Sequence, residues 1–119
     1  MNNKNTRPPG KTTIAPDVLI TIASLTALSV DGVCRLASPP VGINNIFKRN
    51  LYEGVYIVVE NNVVYADLYL ILKRETNVRE VSKNVQIQVA RAISEMVGMD
   101  VGRVNIHVED VEFCGESSN

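Results

Sequence analysis

Between residues 16 and 30 the apolar positions Val18, Leu19, Ile22, Leu25 and Leu28 recur mostly at steps of three and four, which is helical periodicity. Pro16 suits a first helical turn, where its missing N–H has no intrahelical partner, and Asp17 favours the positive helix end. Asp31-Gly32 then supplies a stop, so a first helix is predicted over 16–30. From 54 to 74 the period changes to two. β-Branched and aromatic residues dominate 54–60 and 63–74, and Asn61-Asn62 between them tolerates the positive φ values of a type I′ turn. With the turn there, Glu60 faces Val63, Val59 faces Val64, Val58 faces Tyr65, Ile57 faces Ala66, Tyr56 faces Asp67 and Val55 faces Leu68. This register puts Val55, Ile57, Val59, Val64, Ala66, Leu68, Leu70 and Leu72 on one face, the expected core, and Tyr56, Val58, Tyr65, Asp67 and Tyr69 on the other.

A second helix is predicted over 78–97. Asn77 caps it with Glu80 three positions on, Gly98 ends it, and Val78, Val81, Val85, Val89, Ala92, Ile93 and Met96 form its apolar stripe. A last strand over 103–113 alternates Val104, Ile106 and Val108 with Asn105, His107 and Glu109. Elsewhere the signal is weaker: 12–15 and 33–36 read as short extended pieces, Ser38-Pro39-Pro40 breaks regular structure, and 43–48 suits one turn of helix. The order predicts an α+β fold, a mostly antiparallel sheet of about three to four strands with two helices packed on one face, close to the split β-α-β arrangement. Residues 12–113 form the single domain, between disordered tails at 1–11 and 114–119 that are rich in small and polar residues.

Composition narrows the function without naming it. Twelve Lys plus Arg stand against 13 Asp plus Glu, which argues against a general polyanion binder. One His and two Cys about eighty positions apart make no zinc-binding spacing, and no cofactor or metal is expected. Two reduced, half-buried thiols are the expectation for Cys34 and Cys114, with one disulfide of a secreted protein as the alternative. No apolar signal precedes residue 14, and the uncharged run 18–30 is too short and too rich in Ser and Thr to span a bilayer. A soluble, cytoplasmic chain is therefore expected.

For chemistry, His107 has Asn105 and Glu109 as same-face neighbours on the predicted last strand, with no visible cleft, and reads as a surface histidine. Asp67 lies between Tyr65 and Tyr69 and is expected to accept a tyrosine hydroxyl. The open-face residues Tyr56, Tyr65, Tyr69 and His107 are candidates for protein contact. Base stacking by a small nucleic-acid-binding domain is the alternative, weakened because 63–72 has no Lys or Arg. The charge-free first helix is either covered on two sides or meets another chain, which adds Thr21, Ser24 and Leu28 to the candidates.

Several stretches together resemble the alkaline shock protein family, the cell-envelope stress-response proteins. They are Ile14-Ala15-Pro16-Asp17-Val18-Leu19, Val30-Asp31-Gly32-Val33, Gly54-Val55-Tyr56-Ile57, Asp67-Leu68-Tyr69-Leu70-Ile71-Leu72, Asn77-Val78-Arg79-Glu80-Val81 and Val104-Asn105-Ile106-His107-Val108-Glu109. The resemblance spans 13–113 and departs from the common pattern at Ser29 and over 38–50. It implies a non-enzymatic cytoplasmic bacterial protein of envelope homeostasis. Such a protein would self-associate and reach the inner face of the membrane through an integral membrane partner.

Overall fold

The computed structural model describes residues 13–38 and 54–114. The chain runs α1 (Pro16–Leu28), β1 (Val33–Leu36), β2 (Val55–Glu60), β3 (Val63–Lys73), α2 (Val78–Val97) and β4 (Asp100–Glu112). The expected tails at 1–11 and 115–119 and the helical turn at 43–48 lie outside the described residues. Residues 13–15 are not a strand, which corrects the extended piece expected before Pro16.

Local chemistry decides the hairpin. Asn61 and Asn62 take φ of 50° and 67°, and β2 pairs with β3 from Val55 opposite Leu68 to Glu60 opposite Val63, the register counted from the turn. Both ends of α2 follow the same logic. Asn77 Oδ1 accepts the Glu80 N–H at 3.0 Å, and Gly98, at φ 72°, donates its N–H to Ser94 O. α1 stops at Leu28, two residues short of the expected end, because Ser29 satisfies the last turn by donating its hydroxyl to Thr26 O at 2.7 Å.

Long-range pairing completes the sheet. β3 is central: β4 runs parallel along one side of it, while β1 and β2 lie antiparallel, end to end, along the other. A parallel neighbour needs a crossover. The 20 residues of α2 rise about 30 Å, enough to carry the chain back along the 11 residues of β3 and start β4 beside Val63. At the join of β1 and β2, the Ala37 N–H donates to Tyr69 O at 2.7 Å and the Tyr69 N–H donates to Gly54 O at 2.8 Å.

Both helices cover one sheet face, as the α+β expectation has it. Leu19, Ile20, Ala23 and Ala27 of α1 and Val81, Val85, Val89 and Ile93 of α2 pack with Val55, Val64, Ala66, Leu68, Leu70, Leu72 and Val104. Val59, expected in this core, is 43% exposed because it sits at the hairpin end. α1 also touches α2, β1 and β2, so its charge-free surface is covered in part; Val18, Leu25 and Leu28 remain exposed along it.

Cys34 and Cys114 are bonded to each other, with Cα atoms 5.9 Å apart, a normal separation for a disulfide. This corrects the expectation of two reduced thiols. β1 and the end of β4 lie on opposite sides of β3, and the chain beyond Glu112 closes the gap. Cys114, placed with the C-terminal tail by sequence, is therefore tied to the sheet.

Ser24 is fully buried and its Oγ has no hydrogen-bond partner. Leaving a buried hydroxyl unpaired is costly, and Ala is the better helix former. Ser24→Ala should therefore raise the unfolding free energy by about 1 kcal/mol, read as a higher urea midpoint at unchanged slope.

Candidate functional site

The sheet face opposite the helices collects the polar and aromatic half of every strand. Alternation along β3 turns Tyr65, Asp67 and Tyr69 to this side, and the antiparallel register sets Tyr56 opposite Asp67. The parallel register of β4 then places Arg103 beside Tyr65, Asn105 beside Asp67 and His107 beside Tyr69.

Tyr56, Tyr69, His107, Asp67 and Asn105 form one connected cluster, and Arg103 and Tyr65 form a pair beside it. The His107 ring stacks on Tyr69, with centroids 4.4 Å apart and planes 13° from parallel, and Tyr56 meets Tyr69 edge-on at 6.0 Å. Asp67 Oδ1 accepts from Asn105 Nδ2 at 3.1 Å and from His107 Nε2 at 2.9 Å. Asn105 and His107 thus share one oxygen of the carboxylate that is expected to accept a tyrosine hydroxyl. A carboxylate oxygen accepts, so Nε2 is the nitrogen that carries the proton in this contact. The Arg103 guanidinium lies 5.7 Å from the Tyr65 ring centroid, within cation–π range. Towards the other end, Arg35 Nη2 donates to both carboxylate oxygens of Glu112, at 2.9 and 3.2 Å, and Arg74 covers Phe113 at 4.6 Å.

Chemically this is a preorganised, half-exposed surface. Stacking holds the His107 ring and its Nε2 bond fixes its orientation, so little side-chain freedom remains to be lost when something docks. The His107 and Asp67 side chains are 38% and 42% exposed, and the depression beside them, lined by Val58, Glu60, Tyr65, Asp67, Arg103 and Asn105, is open. Among the described residues no group of three or more His, Cys, Asp or Glu is placed to hold a metal ion, and no helix is long and apolar enough to cross a membrane.

The seven sequence candidates divide between two sides of the molecule. Tyr56, Tyr65, Tyr69 and His107 lie together on the open face, all half-buried. Thr21 and Leu28 lie on α1, on the helix side of the sheet, half-buried and exposed respectively. Ser24, beside them in the chain, is fully buried and so cannot offer an outer contact. Helical geometry turns it inward with Ala23 and Ala27, a position that the uncharged composition of 18–30 did not distinguish. Sequence reasoning missed Arg103, Arg35 and Glu112, whose signal was available only in part. Arg103 shares the parity of Asn105 and His107, but its partner depends on the β3–β4 register.

A chain described as the C-terminal domain of MamM, variant M250L, superposes with a TM-score of 0.54 at 14% identity, covering 78% of this chain and 94% of that one. At that identity the likeness concerns the fold. By sequence, the chain is 34% identical over 103 residues to Spy1535, an uncharacterized protein of Streptococcus pyogenes, covering 86% of this chain and 79% of that protein. It is 30% identical over 106 residues to YloU, an uncharacterized protein of Bacillus subtilis, covering 86% of this chain and 88% of that protein. The model of the alkaline shock protein family, described as having a "cell envelope-related function", matches residues 4–113. The chain therefore belongs to the alkaline shock protein family of cell envelope-related proteins, the family that its sequence resembles.

Proposed function

We propose that this chain is a non-enzymatic module of cell-envelope homeostasis that docks protein partners on its open sheet face and associates with copies of itself. The observation that carries the reading is the Tyr56–Tyr69–His107 stack anchored on Asp67. It is an ordered aromatic patch on a face that no described helix covers. Tyrosines in such positions combine apolar area with a hydrogen-bonding tip at low entropic cost, which is why they dominate protein interfaces. The envelope-related family supports a partner that resides in the membrane, and with it a location at the inner membrane face. The nucleic-acid alternative loses support, because among the described residues the open face sets Glu60, Asp67 and Glu112 among Arg35, Lys73 and Arg103 and so has no basic stripe.

Tyr69→Glu should weaken capture of the partner from the native host's membrane fraction by about tenfold or more, since it puts a charge at the centre of the patch. Because Tyr69 points away from the core, the variant should keep a cooperative urea transition. Wild-type protein should also grow in mass with concentration in light scattering. A strict monomer at every concentration with no co-purifying partner would overturn the reading, as would salt-dependent binding to nucleic acid that tracks Tyr69.

A further inference from the structure

The structure assigns self-association to the outer edge of β4: we infer that a second copy pairs its own β4 antiparallel with this one, about a two-fold axis at Ile106. The inference rests on the self-association in the functional reading and specifies where it occurs. Tyr69 directs its N–H and C=O to Gly54 and Ala37, away from β4. Successive residues of a strand alternate in this respect, so Leu68 and Leu70 direct theirs to β4. In a parallel ladder they bond the residues flanking their partners Ile106 and Val108, which turns Asn105 and His107 inward. Val104, Ile106 and Val108 then direct their N–H and C=O outward. One contact reports this direction independently: the Val104 carbonyl, turned from β3, accepts from Gln86 Nε2 of α2 at 3.0 Å.

Among the described residues β4 pairs with β3 alone, and it is 13 residues long. The opposite edge is divided between strands of four and six residues. Register shifts interrupt β4 between Val101 and Arg103 and again between Val108 and Asp110. Such irregularities blunt an edge; the stretch 103–108 between them is regular, and Glu109 is the residue that the second one leaves without a partner on β3.

Charge selects the occupant and the register. Arg103 and Glu109 stand three residues on either side of Ile106. Antiparallel pairing about Ile106 sets each Arg103 opposite Glu109 of the second copy, twice by symmetry, and sets Val104 opposite Val108 with their backbone groups aligned. Shifting the axis to residue 105 or 107 keeps the backbone match but puts Arg103 opposite His107 or Val111 instead. The groove along this edge, lined by Ile87 and Ala90 of α2 with residues 101–104, supplies apolar area beneath the join. Pairing of this kind joins the two open faces into one continuous surface with both tyrosine clusters on the same side.

The test uses the full chain in light scattering and amide hydrogen exchange over a concentration series. The amides of Val104, Ile106 and Val108 should gain protection as concentration rises. Arg103→Glu and Glu109→Arg should each weaken association by roughly tenfold or more, and the double variant should restore it. Both side chains are exposed, so the variants should give wild-type circular dichroism. Association that persists in both single variants, with those three amides unchanged, overturns the edge proposal and leaves self-association standing. A monomer at all concentrations overturns both.

Discussion

Gly54→Ala is expected to lower the unfolding free energy by about 3 kcal/mol, the sum of a left-handed conformational cost and an overpacking cost. Gly54 has φ +90°, and a Cβ there would run into the Ala37 carbonyl oxygen and lie 3.1 Å from Tyr69 O and 3.2 Å from Ala37 N. All of these are backbone atoms, which cannot rotate away as a side-chain tip would. Two of them, Ala37 N and Tyr69 O, also join β1 to β3 through the bond from Ala37 N–H to Tyr69 O, next to the bond from Tyr69 N–H to Gly54 O. Relief of the clash would therefore pull apart the point where two strands share one neighbour. For a domain of this size the loss corresponds to a fall in Tm of about 12 °C or more. Gly98→Ala is the control: φ is +72° but, among the described residues, nothing beyond its chain neighbours lies within 4 Å of the added Cβ, so only the conformational cost of about 1 kcal/mol applies. Equal losses for the two variants in urea titrations would show that the close approach at Gly54 contributes nothing.

Leu70→Ala should cost more, about 3–5 kcal/mol, as expected for truncating a fully buried leucine in a core that only partly collapses. Leu70 has no exposed surface, lies on the central strand and is flanked by Leu36 of β1 and Val108 of β4. The cavity would thus open where three strands and the helix layer meet. The adjacent Tyr69→Ala should cost much less, about 1–2 kcal/mol, because its ring sits on the open face over His107. The contrast between two neighbouring residues tests the assignment of the faces. Similar destabilisation by both, or a larger loss for Tyr69→Ala, would mean that something packs on the open side.

Much of the architecture was legible where a local count decides it. The register of β2 on β3 follows from Asn61-Asn62 by counting outward, and the observed pairs match residue for residue. α2 begins and ends where Asn77, Glu80 and Gly98 place it, since capping groups act over three or four residues. Even membership of the open face was readable for Tyr56, Tyr65, Tyr69 and His107, because strand parity needs no tertiary information. What parity could not supply was adjacency. Whether His107 meets Tyr69, or lies several ångströms along the strand from it, depends on where α2 delivers the chain.

By itself, then, the sequence determined the two helices, the hairpin with its register and the family, all of which rest on short-range periodicity and ordered local matches. The tertiary structure alone decided that β4 runs parallel to β3 and that β1 and β2 meet end to end on Tyr69. It also decided that Arg35 reaches Glu112 across 77 positions, that Cys34 reaches Cys114 across 80, and that Ser24 turns inward. These are contacts between residues far apart in the chain or between packed layers. Their geometry is set by which helix face fits which sheet face, and many sequences with the same hydrophobic pattern would satisfy that fit differently.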